Sequence, residues 1–341
     1  MNKLYPLLFK NNLHKIVWGG RRLKPMKGIT PDSEPIGESW EISAISGDES
    51  IVENGPLKGM SLNQLISEFG ADFLGKKEMA ENGLDFPLLI KFIDAQQNLS
   101  IQVHPNDEIS RERHGKKGKT EMWYIIDAEE GACLYSGFSK NISKEEYVQK
   151  VKDGTITDVL AKHEVHPGDV FFLPAGRVHA IGAGILLAEV QQSSDVTYRI
   201  FDYNRKGLDG KPRELHTDLA VDVVDRKVHA EYRSYYTPVE NDAVNVVNCQ
   251  YFTTNVLELN SKAHRNLLDK QSFVIYMCLE GACTLRMCDA DGGTSLSDGQ
   301  TEHVVELFAG HSCLVPASVA NLDLVSFSSN GRTRLLEVYC N

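Results

Sequence analysis

The sequence has no basic excess, no paired-cysteine pattern and no long apolar run, and each absence removes a class of function. Lys and Arg total 36 against 47 Asp and Glu, a formal net charge of −11. A chain of that sign has no surplus of cations to neutralise a nucleic acid or to lie on an anionic membrane. A small anionic metabolite stays open, because it needs only a local pocket of Lys and Arg. The seven cysteines (Cys133, Cys249, Cys278, Cys283, Cys288, Cys313 and Cys340) are odd in number and include no Cys-x2-Cys pair of the kind that holds zinc. Set in apolar, strand-like runs, they read as reduced, buried thiols, which places the protein in the cytoplasm. The apolar run Leu4–Phe9 is too short and too interrupted for a signal sequence. No segment approaches the roughly eighteen apolar residues of a membrane helix. A chain of 341 residues suits two or more packed units rather than one small core.

What is present is mostly strand pattern with short helical interruptions. Residues 1–55 are rich in Gly, Pro and Ser, with turn-and-strand pieces such as Gly37–Glu38–Ser39–Trp40–Glu41. From Ser61, a plausible N-cap, Leu62, Leu65, Ile66 and Phe69 fall at helical spacing, and the helix is expected to reach about Leu74. Phe86–Ile93 reads as a buried strand. In Ser100–Ile101–Gln102–Val103–His104 polar and apolar residues alternate, so Ser100, Gln102 and His104 share one face of a strand. Lys116–Lys119 reads as a mobile loop and Glu121–Ile126 as the next strand. Lys144–Lys162 and Leu215–Val224 are expected to be helical, and everything from about Ala243 onward is strand-like.

The stretch from Pro167 to His179 is a short apolar strand, Val170–Leu173, that runs into Pro174–Ala175–Gly176 and delivers one histidine past the turn. A lone histidine there is commonly a surface or core residue. The spacing Gly168-x5-Pro174-x-Gly176-x2-His179, however, resembles the second signature of the cupin barrels, where that histidine binds metal. The chain also repeats itself. Glu130–Gly131–Ala132–Cys133 recurs as Glu280–Gly281–Ala282–Cys283 at an offset of 150, and the Gly168–His179 pattern recurs as Gly310–Asn321 at an offset of 142. The fold is therefore expected to be mainly β, two tandem cupin (jelly-roll) barrels with short helical insertions. A catalytic domain over 1–240 and a second, metal-free domain over 241–341 follow. At the same offsets Gln271 replaces Glu121 and Asn321 replaces His179, so the second barrel loses its ligands.

A divalent metal in an antiparallel barrel needs inward side chains from adjacent strands. Gln102 and His104 on one strand, Glu121 opening the next and His179 ending a third make a ligand set that suits Zn²⁺, one per chain. Taken singly, His104 before a proline reads as a turn residue and Glu121 as a solvated strand start. Lys119 lies on the same strand face as Glu121, or belongs to a solvated lysine cluster. Arg199 stands between Tyr198 and Ile200, and a guanidinium there either meets an anion or pairs with Asp195 or Asp202.

With these residues the chain resembles the class I mannose-6-phosphate isomerases in their short bacterial form. The resemblance covers nearly the whole length. It is carried by Gly37–Ser43, by Ser100–Ile101–Gln102–Val103–His104–Pro105, by Lys119–Thr120–Glu121–Met122–Trp123–Tyr124, by Pro174–Ala175–Gly176 with His179, and by Tyr198–Arg199 with Asp202–Tyr203. It implies that Gln102, His104, Glu121 and His179 bind zinc, that Arg199 and Lys119 are catalytic, and that Ser100, Lys119 and Arg199 contact substrate. It further implies interconversion of mannose 6-phosphate and fructose 6-phosphate through an enediol, by a monomer or homodimer. The general base stays open between Lys119, Glu41, Glu189 and a metal-bound water, and the phosphate holder between Lys119, Arg199 and Arg205. Two alternatives share the ligand set: an Fe(II) oxygenase and a non-catalytic sugar-binding double cupin.

Overall fold

The regular structure is mainly antiparallel strand, in a computed structural model that describes residues 4–288, 304–329 and 331–341. The described residues fall into two compact units. One comprises Leu13–Ser39 and Leu88–Tyr235, the other Met1–Asn12, Trp40–Pro87 and Tyr236–Asn341.

The first unit carries two sheets. One runs Arg233–Ser234, Val170–Leu173, Glu121–Ala128, Ile185–Gln192, Leu88–Ala95, Leu13–Gly20, Ile36–Ile42 in spatial order. The other runs Tyr198–Phe201, Ile101–Val103, His179–Ala180, Cys133–Phe138, Leu160–Glu164. Trp18, Ile93, Trp123, Ile125, Leu134, Phe171 and Leu187 form the core of this barrel. A second apolar layer, including Ile101, Val103, Tyr147, Val178, Tyr198 and Ala220, packs the helices Lys144–Lys152 and Thr217–Val221 onto the unit.

The second unit repeats the plan with a six-stranded sheet and a four-stranded sheet around Leu257, Tyr276, Cys283, Leu322 and Leu335. Its N-terminal pieces are integral to it: Leu7 and Leu8 pair with Leu314 and Cys313. Helix Leu62–Phe69 starts with a reciprocal cap between Ser61 and Gln64 and buries Leu62, Leu65 and Ile66. The short helix after it ends with backbone carbonyls of Asp72, Phe73 and Leu74 accepting from Ser318, Ala317 and Phe273. The contact-defined units thus differ from a cut at residue 240, because residues before Asn12 and from Trp40 to Pro87 find their partners in the C-terminal third.

Several local expectations change. The helix from Lys144 stops at Lys152, because Gly154 takes a left-handed φ of 69°, and residues Leu160–Glu164 form a strand. The helix in 215–224 is only Thr217–Val221. An unforeseen helix, Asp107–His114, carries a side-chain cap from Asn106, acids in its first turn, bases in its last and Gly115 in the left-handed region. Its apolar content is too low for periodicity to reveal it. Lys116–Lys119 is tied down: Lys116 pairs with Asp195, and Lys119 is buried. Part of the strand expectation after Ala243 falls on 289–303, outside the described residues.

Register shows what the second barrel puts where the first keeps its polar cluster. Glu121 faces Leu173, whereas Val274 faces Val315, the repeat equivalent of Leu173. Val274, not Gln271, therefore takes the place of Glu121. His179 lies between Ser136 and Gln102, and Leu322 lies in the same way between Met287 and Arg265. Since Leu322 and Leu324 are in the core, Asn321 alternates to the other face. One polar position is retained. Glu189 pairs across to Trp123 and Lys91, and Glu337 pairs across to Tyr276 and Asn255. Glu337 is fully buried and accepts from Arg265 Nη2 at 2.8 Å and Nε at 2.9 Å, from Tyr276 at 2.9 Å and from Asn255 at 3.0 Å.

Replacing Arg265 by Leu leaves that carboxylate without its cation. Chemical denaturation should show a loss of about 3–5 kcal/mol, while the metal content of the purified protein stays that of the parent.

Candidate metal centre

Three strands of the first unit converge on one buried carboxylate. Glu121 opens its strand with 0% exposure, and His104 and His179 are each 1% exposed. His104 Nε2 lies 3.4 Å from Glu121 Oε2, and His179 Nε2 lies 3.2 Å from Oε1. Each imidazole is oriented from behind. His104 Nδ1 donates to the Val196 carbonyl at 3.0 Å and His179 Nδ1 to the Arg177 carbonyl at 2.8 Å. A carbonyl accepts only, so both protons sit on Nδ1 and both Nε2 lone pairs point at Glu121. Gln102 Nε2 stands 3.2 Å from His179 Nε2, and Ser100 donates to Gln102 Oε1 at 3.5 Å. Amide orientation is an assignment; turning the amide over exchanges its oxygen and nitrogen and offers the lone pair to the cluster.

Three electron-pair donors facing one another in a dry site are repulsive unless a cation joins them. His104 Nε2 and both Glu121 oxygens are indeed buried without an aligned hydrogen bond, although Lys119 Nζ approaches Oε2 at 3.2 Å. Burial, helped by the Lys119 charge, pushes His104 down to about 3, and burial also lowers His179, so both are neutral ligands at ordinary pH. For Glu121 burial opposes ionisation, but the neighbouring Lys119 charge, first among the groups that favour it, holds the carboxyl well below the usual range. Two neutral imidazoles, an ionised carboxylate and an amide fit a small divalent ion, and each histidine already has the carbonyl partner such ligands use.

Around this cluster runs a polar row that the sequence pattern only hinted at. Lys91, Glu189 and Trp123 are neighbours across three strands. The Trp123 indole donates to Glu189 at 2.8 Å and meets the His179 ring edge-on at 5.3 Å. Lys91 lies 3.1 Å from Glu38 and 3.5 Å from Glu189, whose carboxyl is raised by burial and by the charge of Glu121. A lysine inside Leu88–Leu89–Ile90–Lys91–Phe92–Ile93 was the available signal, since a buried ammonium needs anions. Ser136 and Gln191, each fully buried with an oxygen lacking a partner, adjoin His179 and Glu121 in register and carried no signal at all.

Arg199 stands directly opposite Gln102 on the next strand, so the row Ser136–His179–Gln102–Arg199 shares one face. It pairs with neither aspartate considered for it. Asp202 is bound by Arg205 and Arg213, each at 2.6 Å, and Asp195 by Lys116 at 2.7 Å. Arg199 Nη1 donates to the Glu214 carbonyl at 2.8 Å, and its Nε is buried without a partner. Arg205 also binds the Asn98 carbonyl, and Glu41 falls in the other unit. A second group of donors, His264, Cys288 and Asp323, lies in the other barrel. There Lys262, at 2.7 Å, already matches the charge of Asp323, and His264 Nδ1 lies 2.9 Å from the same carboxylate.

Residues 7–135 match the family model described as phosphomannose isomerase type I, catalytic domain. The chain is 38% identical over 279 residues to mannose-6-phosphate isomerase ManA of Bacillus subtilis, covering 81% of this chain and 86% of that one. It is 43% identical over 219 residues to mannose-6-phosphate isomerase of Streptococcus mutans, covering 64% and 67%. The crystal structure of the Bacillus subtilis mannose 6-phosphate isomerase superposes with a TM-score of 0.81 at 30% identity, covering 98% of this chain and 99% of that one. A putative mannosephosphate isomerase from Archaeoglobus fulgidus has the same fold, with a TM-score of 0.77 at 24% identity over 99% and 98%.

Ion binding to the buried donors predicts a stability gain. A divalent cation at about one hundred times its dissociation constant should stabilise metal-free protein by about 2.7 kcal/mol. Differential scanning fluorimetry should show the shift in the parent and not in Glu121→Gln; no shift in the parent would dismiss the cluster as a metal site.

Proposed function

Because this chain belongs to the type I phosphomannose isomerases, we propose that its buried donor cluster holds one Zn²⁺ per chain and serves the interconversion of mannose 6-phosphate and fructose 6-phosphate. The observation that carries this reading is the pair of histidines with Nδ1 spent on backbone carbonyls and Nε2 aimed at a buried, ionised glutamate. Gln102, His104, Glu121 and His179 are the proposed ligands. A bound divalent ion supplies Lewis acidity that orients and polarises sugar oxygens.

The chain's own residues supply the rest. The isomerisation moves a proton between C1 and C2, so negative charge develops on a sugar oxygen in the transition state of an enediol route. Arg199 is the proposed stabiliser of that charge: it lies in the ligand row and keeps a buried, unused Nε–H. Lys119, beside Glu121, adds a second positive charge to the pocket and is the other proposed catalytic side chain, and Ser100 helps to line the site. Among groups that could take the proton, Glu189 and Lys119 are buried in the same unit, and the raised affinity of Glu189 for a proton suits a base. Of the groups considered for the substrate phosphate, Arg205 is already committed to Asp202 and to a backbone carbonyl. The oxygenase and non-catalytic readings gain no support from the relatives. Among the described residues no helix is long and apolar enough to cross a membrane; we place the enzyme in the cytoplasm, as a monomer or homodimer.

A coupled assay on mannose 6-phosphate, run before and after chelation and with Zn²⁺ restored, tests the reading alongside metal analysis. Activity should vanish on chelation and return with about one Zn²⁺ per chain. A metal-free enzyme of full activity would refute the zinc assignment. Arg199→Ala with zinc retained should lose at least about 10²–10³ in kcat; a near-parental rate would remove Arg199 from the chemistry.

A further inference from the structure

Tyr198–Phe201 is the edge strand of its sheet, with Ile101–Val103 on one side and no strand on the other. An edge strand leaves alternate N–H and C=O groups unpaired, and its register is held on one side only. Here that hold is weakened further, because pairing with Ile101–Val103 slips between Arg199 and Phe201. The irregularity falls beside the residue whose guanidinium is proposed to serve the metal pocket.

The segment Glu214–His216 fills the open side. His216 N–H donates to the Arg199 carbonyl at 2.7 Å, and Arg199 N–H donates to His216 Nδ1 at 3.2 Å. Both backbone groups of Arg199 therefore point away from the sheet and are met by one residue, once through its backbone and once through its ring. A third bond runs from Arg199 Nη1 to the Glu214 carbonyl at 2.8 Å. The imidazole is held in turn by stacking on Tyr198, with ring centroids 6.2 Å apart, and Tyr198 is anchored through its hydroxyl to His114 at 2.7 Å. A backbone N–H only donates, so Nδ1 must be unprotonated and any ring proton must sit on Nε2. This is the opposite tautomer from His104 and His179, whose Nδ1 atoms donate.

We propose that His216 is a positioning residue for Arg199: its ring Nδ1 and backbone N–H act as the missing neighbouring strand and fix where the guanidinium enters the pocket. The inference rests on the reading of Arg199 as an active-site arginine. His216 itself touches neither the donor cluster nor, on this proposal, the substrate. Its contribution is to the geometry of another side chain, so it should be replaceable by any residue that puts an acceptor at the Nδ1 position.

Asn does so, because its side-chain oxygen occupies nearly the place of Nδ1. Phe keeps the ring on Tyr198 and removes the acceptor. The test compares parent, His216→Asn, His216→Phe, Arg199→Ala and the double variant Arg199→Ala/His216→Phe, with kcat, KM, zinc content and melting temperature measured for each. His216→Phe should lose roughly ten- to a hundredfold in kcat/KM, the scale of a buried donor deprived of its acceptor, with zinc retained. His216→Asn should recover most of that loss. The double variant should be no worse than Arg199→Ala alone, since a positioning effect has nothing left to position.

Four results would overturn the proposal: a His216→Phe enzyme of parental activity; an Asn variant as impaired as Phe; losses that add in the double variant; or zinc lost from His216→Phe. Parental activity in Arg199→Ala would bring down the reading of Arg199 itself, and with it this role for His216, and is told apart because that variant leaves His216 unchanged.

Discussion

A carboxylate that is ionised, fully buried and without an aligned hydrogen bond is the constraint around which the first barrel is arranged. Glu121 would be expensive to keep charged in a dry interior by itself. The Lys119 ammonium lowers that cost, whereas two imidazoles with their lone pairs turned inward raise it, which leaves the cluster a place for a cation. The backbone carbonyls of Arg177 and Val196 matter as much as the side chains, because they decide which imidazole nitrogen faces the glutamate. The turn that carries His179 thus does two things at once, placing the ring and selecting its tautomer.

The second barrel meets a similar constraint by another route. Its buried glutamate, Glu337, stands in the register position of Glu189, and the groups around it close the account with ordinary partners: a guanidinium in a forked contact, a phenol and an amide. At the positions of Glu121 and His179 it carries Val274 and Leu322, and at that of Gln102 it carries Arg265. One strand plan therefore holds an open, electron-rich cluster in one copy and a closed salt-bridge network in the other. The difference lies in a handful of inward side chains and in the edge strand Tyr198–Phe201, since the central strand order of both sheets is shared.

The barrel plan and the four clustered donors were legible in the chain itself, for physical reasons. Strand alternation put Gln102 and His104 on one face, and the Pro–Gly turn fixed where His179 emerges. Self-similarity then showed that the plan occurs twice. Alignment of the copies was less secure. The strand before the motif is displaced by three residues and the strand after it by one, so Gln271 and Asn321 were the wrong counterparts. The helix Asp107–His114 escaped notice because it buries almost no apolar surface. Ser136, Gln191 and His216 were invisible for a different reason. Their positions come from pairing with other segments of the chain, and nothing in their immediate neighbours encodes that.

The division into units has a consequence for how the polypeptide is made. The first unit is an insertion twice over: Leu13–Ser39 and Leu88–Tyr235 lie in sequence between pieces of the second. During synthesis the inserted barrel has all its strands once Tyr235 has emerged. Leu7 and Leu8, in contrast, must wait for Cys313 and Leu314, and the helical segment near Phe73 must wait for Phe273 and Ala317. Leu7 and Leu8, made before the inserted barrel, pair only after it is complete. A chain stopped near residue 240 would hold the complete donor cluster and yet carry an apolar strand and an amphipathic helix with nothing to cover them. The second barrel, beyond any structural support it lends, completes the N-terminal part of the polypeptide.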